Sequence, residues 1–217
     1  GSLSREVQAI SSAFKATSSK FSGDLDENIL DYLREYDVVC RNLCLSSHRK
    51  FDLMHNIFRD DAKEWFFDNI AGQIPETLGG YDGATALLKE EYQSRVRQER
   101  IKQVLDCLMF DEFVEGEGTH QDLKRALDKL KTRIGKLSQQ CAPAFRGAEH
   151  QLSHMRRAVV GQTWSELPLQ ASPPHADINS FVAALGAAIQ HDATKSPLRE
   201  LQTNLRNFSH FTKVSRS

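Results

Sequence analysis

Residues 122–137 read DLKRALDKLKTRIGKL, and the apolar side chains Leu123, Leu127, Leu130, Ile134 and Leu137 recur at steps of three and four. That period places all five on one side of an α-helix and leaves the Lys, Arg and Asp side chains on the other. Gly116 and Gly118 precede it as breakers, and Thr119 stands where an N-cap belongs. A helix with so continuous a stripe needs other apolar faces to cover it. The neighbouring sequence supplies them at the same period.

Downstream, Ala148, Leu152, Met155 and Val159 form a second stripe with Gly161 as its expected stop. A Pro-rich loop is expected over Leu167–Pro174, followed by a helix through Ile178, Phe181, Val182, Leu185 and Ile189. Ser196-Pro197 offers an N-cap with proline at the first helical position, leading into Leu198, Leu201, Leu205 and Phe208. Upstream, Leu25, Ile29, Leu33, Tyr36, Cys40 and Leu43 predict one helix, capped by Asp24 or Asp26. Phe51, Met54, Phe58, Ala62 and Trp65 predict another, starting after Ser46 or Ser47. Glycines and Pro75 mark a turn around Ala71–Gly83. Ala84, Leu88 and Tyr92 then carry a third helix, with Ile101, Val104, Leu105 and Leu108 on its continuation or on a separate helix.

No segment alternates with a period of two, so the expected fold class is all-α. Many short helices and the polar run Ser94–Arg100 predict two small helical bundles joined by a short linker. The divisions read as a flexible N-terminal segment at 1–20, bundles at 21–95 and 96–195, and a C-terminal helix with a basic tail at 196–217. Gly1-Ser2 reads as a cloning scar. Each bundle is large enough to enclose its own small core.

The chain has 217 residues, 26% of them charged and 40% hydrophobic, an ordinary water-soluble profile. No apolar run approaches the roughly 20 residues of a membrane span, and no signal-peptide core is visible. A cytoplasmic protein with no membrane partner is expected. Charge is unevenly shared: Phe21–Arg95 holds 8 basic against 15 acidic residues, and 96–217 holds 17 against 13. An acidic front and a basic rear give the molecule electrical polarity. Solvated helix faces are the plain alternative.

Chemistry is poorly represented. Four cysteines, Cys40, Cys44, Cys107 and Cys141, are too scattered for a disulfide framework and read as reduced thiols. His150 and His154 have helical ligand spacing, but no glutamate lies between them and no fourth ligand joins Cys141. No metal and no cofactor is expected. Nucleophile elbow, phosphate loop, dinucleotide fingerprint, aspartic-protease triplet and zinc knuckle are all absent from the sequence. The reading is that of a protein that is not an enzyme and has no small-molecule substrate.

Several residues carry a resemblance to a family. Phe21-Ser22-Gly23, Tyr32-Leu33 with Tyr36, Leu45-Ser46, Lys50, Phe58, and Ala62 through Trp65 resemble, in order and spacing, the Gag protein of gypsy-type LTR retrotransposons. In the second half, Gly118-Thr119 with Leu123, Leu127 and Leu130 is similar to the major homology region of retroviral capsids. Two departures stand out. The family's Gly before the Ala-x-x-Trp segment is Asp60 here, and its aromatic pair in the second half is Leu123 and Leu127. The resemblance covers roughly Phe21–Gln190.

What it implies is a structural capsid protein with an N-terminal lobe at 21–95 and a C-terminal lobe at 96–195. Such a protein associates with itself into the pentamers and hexamers of a virus-like particle and packages retroelement RNA. Homo-oligomerisation and a weak RNA contact through the basic C-terminal tail are the implied partnerships. A domesticated adaptor that binds partner peptides without assembling is the alternative. Leu152, Met155 and Trp164 are candidates for a homotypic contact of the second lobe, the plainer option being that Leu152 and Met155 fill its core. Trp65, Phe66 and Phe67 cannot all point inward, and Phe66 is taken as the candidate for the interface.

Overall fold

The computed structural model describes residues 2–17, 20–73, 79–172 and 174–192. The fold is all-α: every regular element among these residues is helical, and the one extended pairing is an isolated parallel bridge between Phe21 and Phe58. The chain divides into two compact units, Gly1–Lys102 and Gln103–Ser217.

In the first unit, α1 spans Ser2–Thr17. It buries Ile10 completely, and Glu6 receives the Arg49 guanidinium at 2.6 Å. The expected flexibility of 1–20 is therefore replaced, over this span, by a helix that packs on α2 and on the 3-10 turn Met54–Ile57. The helix α2 runs Ile29–Asn42 with Ile29, Leu33, Tyr36 and Cys40 buried. Its cap is Asn28, whose side chain accepts from the Leu30 N–H at 3.1 Å, and not Asp24 or Asp26. Asp24 lies in the preceding turn, where its carbonyl is bound by Arg97, so Leu25 precedes the helix.

The helix expected through Phe51–Trp65 is interrupted. Ser46 caps α3, Ser47–Leu53, as expected. A 3-10 turn follows, and then Phe58 becomes extended at φ −104°, ψ 152°. There the Phe21 N–H donates to the Ile57 carbonyl and the Arg59 N–H to the Phe21 carbonyl, each at 2.9 Å. Helical hydrogen bonding stops because this backbone is paired with a distant segment. Asp60, at φ +48°, restarts the chain as α4, Asp60–Phe66, which passes directly into a π-helical turn at Phe67–Ala71. Gly79 and Gly80 both take positive φ and launch α5, Gly80–Tyr92, onto α2 and α3. Gln93 and Ser94 separate α5 from α6, Arg95–Cys107. The polar run read as a linker is thus helical from Arg95, and the units divide at Lys102 rather than at Arg95. Arg97 belongs to the first unit because its guanidinium binds Gly23, Asp24 and Glu27.

In the second unit, the 3-10 turn Phe110–Phe113 and α8, Ala148–Ala158, pack on α7, His120–Gln140. The stripe of Leu127, Leu130, Ile134 and Leu137 is buried as its period requires. Thr119 caps α7 reciprocally: the Asp122 N–H donates to Thr119 Oγ1, and the Thr119 N–H donates to the Asp122 carboxylate. That is a capping box. Helix α8 ends ahead of Gly161, which sits at φ +94° as its expected stop requires. The fully buried Ser165 hydroxyl lies 2.8 Å from the Val159 carbonyl and 2.7 Å from that of Gln162, closing this turn. The expected loop at Leu167–Pro174 begins instead with one helical turn, α9, Glu166–Leu169. A further helix, α10, occupies 178–192, with Ile178, Phe181, Leu185 and Ile189 buried. The helix and basic tail expected at 196–217 lie outside the described residues.

Candidate functional site

Phe21, Gly23, Tyr32, Phe58, Ala62 and Trp65 are scattered over three segments of sequence, yet they gather around Tyr92. The Phe21 ring meets Tyr92 edge-on at 4.8 Å, Tyr32 at 5.1 Å and Phe58 at 6.1 Å. Trp65 meets Tyr92 at 5.7 Å. Edge-to-face packing of this kind adds about 1 kcal/mol per pair beyond burial. A Cβ on Gly23 would stand 3.1 Å from the Tyr92 ring, and the residue's φ is +92°. Glycine is required there twice over, by conformation and by space.

Polar groups lock the same loop. The Glu27 carboxylate accepts from the Ser22 N–H at 2.7 Å, the Ser22 hydroxyl at 2.8 Å and the Gly23 N–H at 3.2 Å. Tyr32 donates to its other oxygen at 3.2 Å. From the far side, Arg97 donates to the carbonyls of Gly23 at 2.7 Å, Asp24 at 2.5 Å and Glu27 at 3.1 Å, with its guanidinium over the Tyr92 ring. Burial lowers Arg97 from its ordinary value, opposed by Tyr92, Glu27 and Asp24, but a guanidinium stays charged in a protein. Burial, reinforced by Glu91, pushes the Tyr92 phenol up to about 12. The arrangement pairs no nucleophile with a base. It is a clasp that holds a loop in a glycine-dependent shape.

A smaller polar cluster sits on the other end of α2. Tyr36 donates to the Lys50 carbonyl at 2.6 Å, while Asp37 accepts from Tyr81 at 2.9 Å and meets the Lys50 ammonium at 3.4 Å. Desolvation raises both tyrosines well above the ordinary phenol range, so they act as neutral hydrogen-bond donors.

The structure corrects the four residues chosen for a homotypic contact. Leu152, Met155, Trp164 and Phe66 are all buried within their own unit. Trp164 packs edge-on against Phe110 at 5.0 Å, and Phe66 stacks on Phe58 at 5.0 Å. Side chains already covered by their own unit present no surface to a second copy. Of the three adjacent aromatics, the outward one is Phe67, 46% exposed against 2% for Phe66. The π-helical turn that begins at Phe67 shifts the helical register there, a signal that composition and period do not carry.

Two of the exposed helix faces carry charge of opposite sign. On α4 and the turn after it, Asp61, Glu64 and Asp68 are exposed beside Phe67, over which Lys63 lies at 5.9 Å. On α7, Arg125, Lys129 and Lys136 are exposed. His150 lies against Phe145, and His154 Nδ1 lies 3.5 Å from Asp106 without a hydrogen bond. Among the described residues no group of three or more His, Cys, Asp or Glu could hold a metal ion, and no helix is long and apolar enough to cross a membrane. No family model matches this chain, and no curated protein or solved structure does either.

Proposed function

We propose that this chain is a Gag-type structural protein that associates with itself to build a shell around retroelement RNA, working in the cytoplasm without catalysis. The observation that carries the reading is the clasp around Tyr92. Phe21, Gly23, Tyr32, Phe58, Ala62 and Trp65, which belong to the set by which the first half resembles gypsy-type Gag, meet there. The departure at Asp60 fits the same account. This aspartate holds φ +48°, a left-handed conformation that favours glycine, which is the residue the family has at that place. Asp tolerates it better than most side chains, and its carboxylate meets Arg59 at 2.7 Å.

Two helical units that each enclose a core suit a particle subunit, because a curved lattice asks one chain to make different contacts at its two ends. Individually weak contacts suffice there, since the shell gains stability by multivalency. Size-exclusion chromatography with light scattering, followed by negative-stain microscopy across protein and salt concentration, tests this. Rings or shells are the expected result. A monomer at every concentration would overturn it and favour an adaptor that binds peptides of other proteins.

A further inference from the structure

Two exposed helix faces carry charge of opposite sign. Asp61, Glu64 and Asp68 follow one another at steps of three and four along α4 and the turn that prolongs it, and all three are exposed. None has an ion-pair partner among the described residues. Phe67 lies at the border of this stripe, nearly half exposed. On α7, Arg125, Lys129 and Lys136 are exposed at steps of four and seven. Their internal ties are loose: Arg125 stands 3.7 Å from Asp122 with its side chain 72% exposed, and Lys129 meets the exposed Glu115. Pairs this solvated contribute little and are readily exchanged. Lys136 has no partner among the described residues.

Each face is a short run of like charge on the exposed side of its element, Asp61 to Asp68 on α4 and the turn after it and Arg125 to Lys136 on α7. A chain that is nearly neutral overall, with an acidic front half and a basic rear half, cannot neutralise either face by pairing like with like. It can do so by pairing front with rear.

We propose that the acidic face of α4 in one copy docks against the basic face of α7 in a second copy, with Phe67 at the edge of the contact. This inference rests on the self-association reading and names one contact within it. Each copy carries one of each face, so the contact is heterologous and repeats from copy to copy. Opposite charges facing one another speed encounter and disfavour wrong pairings. The expectation follows that association weakens steeply when the salt concentration rises from about 0.1 M to about 1 M, shortening the Debye length from about 10 Å to about 3 Å.

The test uses two charge-reversed full-length chains. One carries Asp61→Lys, Glu64→Lys and Asp68→Lys; the other carries Arg125→Glu, Lys129→Glu and Lys136→Glu. All six positions are exposed, and circular dichroism with thermal melting checks that both chains fold. In sedimentation velocity each variant alone should associate roughly tenfold or more weakly than the unmodified chain, the scale expected when close charge pairs are reversed. An equimolar mixture should regain association, because every contact between the two variants is again between opposite charges. The chain carrying all six substitutions should regain it too. Assembly indifferent to both reversals overturns this contact and leaves self-association standing. Loss in the α7 variant with no rescue on mixing also overturns it, and points to a polyanion such as RNA on that face. A monomer at every concentration overturns both.

Discussion

The two units reach the same class of fold by different means. The first is built from aromatic rings and irregular backbone: Phe21, Tyr32, Tyr36, Phe58, Phe66, Tyr81 and Tyr92 are joined by ring contacts, and the loops between helices are held by Glu27, Arg97 and Lys50. The second is built on a long helix with an aliphatic stripe, Leu127 to Leu137, capped by a local box and stopped by simple turns. One unit depends on contacts between residues far apart in sequence. The other depends mainly on period. Mutational sensitivity should therefore concentrate at different kinds of residue: loops and polar clamps in the first, apolar helix positions in the second.

The two tryptophans make that contrast measurable, since Trp65 reports on the first unit and Trp164 on the second. The largest effect is expected at Phe21. Phe21→Ala removes the ring at the centre of the aromatic cluster and should destabilise the first unit by about 4 kcal/mol, in the range of buried Phe→Ala changes. Denaturant unfolding followed through Trp65 alone, with Trp164→Phe, should show it; an equal loss seen only through Trp164 would break the comparison. Leu130→Ala is the counterpart, expected to lower the Trp164 transition by about 3 kcal/mol.

Next comes the clamp. Arg97→Lys keeps the charge but loses the planar fork that reaches three carbonyls, and should cost about 2 kcal/mol in the first unit. Amide exchange should rise at Ser22 and Gly23 before it rises on α2. If exchange is unchanged, the loop is held by Glu27 alone.

A pH effect should appear in the second unit. Burial lowers the His154 pKa below its ordinary value; Asp106 opposes this, while Arg157 and His150 reinforce it. The folded state therefore binds the proton less readily than the unfolded one. Stability from this group is complete above about pH 6.5, the ordinary histidine value, and is lost as pH falls through the lowered folded value. The Trp164 transition should weaken on acidification over that window, and His154→Gln should flatten the dependence. The smallest effect is expected at Asp60, where Asp60→Gly relieves the left-handed backbone and gives up an exposed pair with Arg59. The net should be between zero and about 1 kcal/mol of stabilisation, read by thermal unfolding.

Much of the second unit was legible in the sequence. Its capping threonine, its Leu127–Leu137 stripe and its stop at Gly161 all rest on interactions within a few residues, which spacing records directly. The first unit was less so. The apolar positions from Phe51 to Trp65 satisfy a helical period, yet the helix breaks at Phe58 because that backbone pairs with Phe21. Nothing local marks the break except Asp60, an unexpected residue at a place where the resembling family has glycine. The charged side of α7 was legible in the sequence, while the acidic face of α4 and the outward aromatic were not: Phe66 and Phe67 are chemically identical, and only their places on the folded helix separate them.

By itself, then, the sequence determined that this chain is all-α, which faces of its helices are apolar, and that Ser46 and Thr119 cap α3 and α7. These follow from interactions three or four residues apart, which any window of sequence contains. The tertiary structure alone decided that Phe58 is extended, that Arg97 closes the Gly23 loop, and that Leu152, Met155, Trp164 and Phe66 turn inward while Phe67 turns out. Those outcomes depend on partners brought together only when the chain is folded, where a backbone amide or an aromatic edge is satisfied by a residue that no local pattern connects to it.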